Sequence, residues 1–135
     1  MGRKKARDSS FKCIYQFEFY SEIDVNSILS NCYVEDEIDE IEKEYIEKVV
    51  KGVLTDIHKI DEIILGKLKN WTLNRISKID LAILRLASYE ILYTDTPVKV
   101  VANEAVELAK TYGNDDSSTF VNGVIAKVIE SKGWF

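Results

Sequence analysis

The apolar positions of this chain recur at helical spacing almost from end to end. Over residues 3–20, Ala6, Ser10, Cys13, Ile14, Phe17 and Tyr20 share one face at i, i+3, i+4 intervals. Phe11, Tyr15 and Phe19 form a second stripe on roughly the opposite side. A helix apolar on two sides either lies between packed layers or offers one side to a partner. Lys4 and Arg7 flank the second stripe, so aromatic and basic groups are expected on one surface. Residues 24–32 predict a short helix around Ile28 and Leu29, with Asp24 as its cap. The acids of 35–40 suit the first turn of the next helix, where they complement its macrodipole. Its buried face reads as Ile38, Ile41, Tyr45, Val49 and Val53, and Gly52 within it suggests close packing. After a break near Thr55-Asp56, Ile57, Ile60, Ile64, Leu68 and Trp71 continue a helical face over 57–70.

The second half is punctuated more sharply. Ser77 followed by Asp80 resembles a capping box, and a strongly apolar helix over 78–93 is expected at the centre of the fold. Thr94-Asp95-Thr96-Pro97 reads as a loop with Pro97 opening the next helix. That helix carries Val101, Ala105, Leu108 and Tyr112 and should stop at Gly113. Asn114-Asp115-Asp116-Ser117 then supplies a cap, from Asp116 or Ser117, to a last helix starting near Ser118 and ending before Gly133. The pattern predicts an all-α protein of about seven helices and no strand. Its 135 residues make one domain, with approximate subdomains 1–70 and 71–135 sharing a core.

Composition narrows the class. Six Gly and one Pro suit long helices rather than a turn-rich sheet. Cys13 and Cys32 form no CxxC, so neither a disulfide scaffold nor a zinc site is expected. No run of about 18 apolar residues marks a membrane span, and no apolar stretch follows the basic start as in a secretion signal. A cytoplasmic protein is expected. The net charge of −5 is unevenly spread. Residues 1–12 carry Arg3, Lys4, Lys5, Arg7 and Lys12 against Asp8 alone, whereas residues 18–47 carry eleven acids against Lys43. A basic arm on an acidic body suggests a localised anion site, because the body opposes general adsorption to polyanions. A solubilising tail would show the same charge.

Catalytic chemistry is not apparent. The one histidine, His58, has no evident acid or nucleophile beside it. Phosphate loops, dinucleotide glycines and nucleophile elbows are missing. The acids of 35–44 lack the order and turn glycine of an EF-hand, and a solvated face explains them. Glu104 and Glu107 have Lys110 as a neighbour rather than a histidine. Neither an enzyme nor a cofactor or metal site is expected.

Several strings carry a more specific signal. RKKARDSSFKCIYQ at the start, NWTLNRISKIDLAILRLASYEILY in the middle, and PVKVVANEAVELAKTYG followed by DDSSTFVNGVI resemble the NusB family of bacterial transcription antitermination factors. The likeness is weak over 20–56 and strong over 70–128. It implies a compact all-α fold of two helical subdomains, no enzymatic activity and no cofactor. It further implies binding to the boxA element of nascent RNA together with NusE, a small-subunit ribosomal protein. That complex helps RNA polymerase resist termination, chiefly in ribosomal RNA operons.

Carried over residue by residue, the resemblance assigns RNA contact to Arg3, Lys4, Lys5 and Arg7, and to Asp116, Ser117 and Phe120. Two of the basic positions are usually Arg in the family and are Lys here, which keeps the charge but loses the bidentate fork. Phe120 can stack on an unpaired base or pack in the core. Tyr15 and Asp80 match positions at the NusE interface, while Asn103, Glu104 and Asn122 read as packing and capping residues. Two other readings compete. A NusB-like region of an RNA methyltransferase would need a long methyl-donor extension, and a helix-turn-helix DNA regulator would need a basic helix inside the fold. Self-association, known in the family, leaves a homodimer open.

Overall fold

The structure is a computed structural model that describes residues 2–19, 24–68 and 72–132, with the Arg3 side chain outside the description. Seven α-helices and one 3-10 turn, with no strand, make up the described residues. They are α1 (Gly2–Phe19), α2 (Val25–Glu35), α3 (Glu40–Thr55), α4 (Ile57–Gly66), the turn Leu73–Arg75, α5 (Lys78–Tyr93), α6 (Val98–Tyr112) and α7 (Ser117–Glu130). Trp71 and Tyr20 lie outside the described residues.

Helix α5 is the axis. Every residue from Asp80 to Ile91 is buried, and α1, α3, α4, α6 and α7 all pack against it. Its apolar sequence explains this, since an all-round apolar helix is stable only when surrounded. One core runs through the molecule from Ala6 to Val128. Gly52 of α3 faces the Tyr89 ring of α5 so closely that a Cβ there would collide with it. The glycine costs helix propensity but lets the two helices approach.

Helix α3 departs from the expected face. Ile41 is 81% exposed and Tyr45 half-buried, whereas Glu42, Ile46, Val49, Val50 and Val53 point inward. At 3.6 residues per turn, Ile41 lies roughly 120° from the centre of that set. Asp39 fixes the register: it accepts the Glu42 N–H at 2.8 Å while Glu42 accepts the Asp39 N–H at 3.3 Å. This reciprocal cap turns Glu42 inward and Ile41 outward. Helix α4 stops at Gly66 rather than near residue 70.

Other termini also refine the sequence reading. Asp24 stands at the N-cap of α2, but its side chain makes no cap bond. Ser77 accepts the Asp80 N–H at 3.1 Å, so only half of the expected capping box forms at α5. Helix α6 stops at Gly113 in extended conformation, not in the left-handed one. Glycine is needed there because a Cβ would strike the Ser117 side chain. The buried thiols of Cys13 and Cys32 are free and meet at 2.7 Å, joining α1 to α2.

Candidate nucleic-acid interface

Helix α1 sorts its basic residues by face. Lys4 and Lys5 are exposed. Arg7 is not. It shares the inward face with Phe11 and Ile14, is 5% exposed, and its Nε lies 3.0 and 3.1 Å from the two carboxylate oxygens of Glu90 on α5. The expectation of Arg7 on the exposed arm is therefore corrected: at i, i+4, i+7 from those two residues it is carried into the core, and Glu90 compensates its charge. The Arg3 side chain lies outside the described residues. Lys5 Nζ donates to the Glu37 carbonyl at 3.1 Å. Lys12 Nζ lies 3.1 Å from Asp8 and 3.5 Å from Asp36.

The second aromatic stripe is graded along α1. Phe11 is buried, Tyr15 half-buried and Phe19 51% exposed. Their rings form a chain, with centroids 6.1 Å apart for Phe11–Tyr15 and 5.0 Å for Tyr15–Phe19. The inner end belongs to the core and the outer end is exposed. The Phe11 ring also meets Tyr112 at 4.9 Å, and the Tyr112 hydroxyl donates to Asp8 at 2.6 Å. These contacts hold the end of α6, and the loop after it, against α1 one turn beyond Lys4 and Lys5.

That loop leads to the other expected residues. Asp80, Asp116 and Phe120 line one pocket of about 220 Å³ with Arg75, Ile76, Ser77 and Asn114. Asp80 is 7% exposed, and its Oδ1 is buried without a hydrogen-bond partner. Phe120 is half-buried, packing on the core while lining the pocket. Asp116 is exposed and occupies the N-cap of α7, and its side chain makes no cap bond. Ser117 is buried and bonds Asn114 instead: its hydroxyl accepts the Asn114 N–H at 3.0 Å. Asn114 Oδ1 accepts the Asp116 N–H at 2.9 Å. The expected cap from Asp116 or Ser117 is thus replaced by an Asn114 turn, which satisfies the loop locally.

A second charge cluster joins α1, α4 and α5. Arg85 of α5 grips Asp61 of α4 through two bonds of 2.8 and 2.9 Å and Glu18 of α1 at 2.6 Å. Lys78 joins Glu18 at 3.2 Å. Burial disfavours the Arg85 charge, but Asp61 and Glu18 outweigh it and raise the pKa. Burial likewise pushes the Glu18 carboxyl up, and Arg85 with Lys78 pull it below the ordinary range. Neither Arg85 nor Arg75 stood out in the sequence. Arg85 is hidden in an apolar run, and Arg75 is recognisable only by its place two residues before the Ser77 cap.

Asn103 and Asn122 are exposed on a polar groove of about 450 Å³ between α6 and α7, contrary to the packing role expected of them. His58 is exposed, and the described residues hold no cluster of three or more metal-ligating groups. None of the described helices is long and apolar enough to cross a membrane.

The architecture is an all-α bundle built around α5. The family model of the NusB family matches residues 4–130, and the chain belongs to that family. It is 41% identical to the transcription antitermination protein NusB of Alkaliphilus oremlandii over 98% of this chain and 96% of that protein. It is 44% identical to the NusB protein of Acetivibrio thermocellus over 98% of this chain and 91% of that one. Among solved structures, NusB of T. maritima superposes with a TM-score of 0.89 at 36% identity, over 95% of this chain and 90% of that one. A crystal structure of the antitermination factors NusB and NusE in complex with dsRNA matches with a TM-score of 0.89 at 26% identity, over 96% and 97%.

Proposed function

We propose that this chain is an RNA-binding transcription antitermination factor that acts in the cytoplasm. It binds boxA RNA of nascent transcripts together with NusE and helps RNA polymerase resist termination. Its activity is binding rather than catalysis. The observation that carries this reading is the full-length likeness to NusB proteins, one of them solved with NusE and RNA. The surface is compatible with it in detail. Lys4 and Lys5 supply exposed charge, with Arg3 beside them in sequence, and Asp116, Ser117 and Phe120 stand at the head of α7. The dipole at a helix start suits phosphate, and a half-buried ring suits stacking. Arg7 acts from beneath, holding α1 on α5. Tyr15, with Phe19 beyond it, and Asp80 are the residues assigned to the NusE face.

The test is a titration of fluorescent boxA RNA with the chain alone and with purified NusE, over a series of salt concentrations. Affinity should fall with salt, with a log–log slope near −0.7 for each phosphate neutralised on a single strand. NusE should tighten the complex. Salt-independent binding, or equal affinity for boxA RNA and duplex DNA, would refute the reading.

A further inference from the structure

The cations of the arm are not all available to a ligand. The end of α2 and the turn after it lie along α1, and their groups meet α1 side chains at successive levels. Cys32 touches Cys13, Asp36 Oδ2 accepts the Ser9 hydroxyl at 2.5 Å, and Asp36 Oδ1 faces Lys12 at 3.5 Å. One turn nearer the N-terminus, the Glu37 carbonyl takes Lys5. Glu37 has a φ of 53°, the left-handed region, and this reversal turns the chain at the end of α2. Lys12 is half-exposed between two acids, Asp8 on its own helix and Asp36 on the turn, with the Tyr112 hydroxyl bonded to Asp8. Partial burial disfavours its ammonium, but Asp8, with Tyr112 and Asp36 behind it, outweighs that and raises the pKa.

We infer that the acidic turn 35–37 is an internal competitor for RNA phosphate, and that Asp36 sets how strongly and how selectively the arm binds. The inference rests on the RNA-binding reading above. A phosphate approaching α1 from the Lys5–Lys12 side competes with a carboxylate or carbonyl already in place. RNA held by further contacts at the head of α7 can meet that demand. A polyanion attracted by charge alone cannot, so the turn suppresses non-specific binding more than specific binding. Such discrimination raises a barrier against the wrong partner, not only affinity for the right one.

The experiment compares Asp36→Asn with the unmodified chain on boxA RNA and on a scrambled RNA of equal length. Asn keeps an acceptor for Ser9 and removes the charge. Asp36→Asn should bind boxA RNA about two- to fivefold more tightly at low salt, the range of one screened surface charge. Its salt slope should steepen by about 0.7, one further phosphate. The gain for scrambled RNA should be larger. Adding Lys12→Gln to Asp36→Asn should abolish the gain, because the released cation is the one that acts. Unchanged affinity and slope would overturn the inference, as would a gain that survives Lys12→Gln, which would mark a general charge effect. Should Asp36→Asn not fold, Lys12→Gln alone decides: an already neutralised Lys12 predicts little loss of affinity or slope, and a slope loss of about 0.7, one whole phosphate contact, overturns the inference. Failure of the unmodified chain to bind RNA would remove the RNA-binding reading itself, and the inference with it.

Discussion

Lys4 and Arg7 stand three residues apart on one helix and carry the same charge, yet they have opposite surroundings. Lys4 is exposed to solvent, while Arg7 is buried against Glu90. The same contrast separates Lys12, half-exposed among carboxylates, from Arg85, fixed in the core by Asp61 and Glu18. Guanidinium suits the interior because its planar fork satisfies two carboxylate oxygens at once and is weakly hydrated. Ammonium suits the surface because it stays hydrated and mobile. A count of basic residues in the first twelve positions merges these two populations, and only the outer one bears on a polyanion.

Breaking the inner population should have the largest effect. Arg85→Met leaves Asp61 and Glu18 facing each other with no guanidinium between them and should cost about 3–5 kcal/mol in denaturant unfolding. A loss below about 1 kcal/mol would show that water or Lys78 replaces it. Arg7→Gln should also destabilise, by about 2–4 kcal/mol, since the buried Glu90 carboxylate loses the Arg7 guanidinium. It should leave the salt slope of RNA binding unchanged in the protein that remains folded. A flattened slope would mean that Arg7 leaves Glu90 for phosphate.

The inner population also predicts a pH dependence. The Glu18 carboxyl is driven up by burial and down, more strongly, by Arg85 and Lys78. With its folded pKa below the unfolded value of about 4.3, the ionised group adds stability above that value. This contribution is lost as the pH falls through the lower folded pKa. Thermal melts between about pH 6 and pH 3 should therefore show a fall that Glu18→Gln makes shallower. An identical acid profile for the variant would assign the fall to other carboxylates.

The outer population should respond in the opposite way. Lys4→Ala and Lys5→Ala should leave unfolding within about 0.5 kcal/mol of the parent, as surface changes do. Each should flatten the RNA salt slope by up to about 0.7. Equal slopes in all three proteins would make the arm a solubilising tail. The smallest effect is expected at Asp116, an exposed acid with no capping bond to lose. Asp116→Asn should keep the fold and tighten boxA RNA by about 0.5–1 kcal/mol at low salt, with the gain shrinking as salt rises. Weaker binding at every salt concentration would point to a direct contact between the carboxylate and a base.

Sequence periodicity by itself determined the all-α class, the helix order and the central place of α5. These follow from the 3.6-residue repeat and from local chemistry at Ser77, Pro97 and Gly113. It also determined the basic arm and the aromatic stripe, and the strings around Asp80, Asn103 and Phe120 carried the family likeness. Tertiary structure alone decided which charges face inward. Helical spacing places Arg7 on a stripe but cannot say that Glu90, 83 residues on, waits across from it. Ile41 shows the same limit at the other end of the scale. A hydrophobic residue reads as core until the Asp39–Glu42 cap fixes the rotation of its helix and turns it outward. Asp36 became significant only when the fold laid it beside Ser9 and Lys12. A side chain's helical face is a local property, whereas compensation of its charge depends on groups brought close by long-range packing. The first can be read along the chain, and the second cannot.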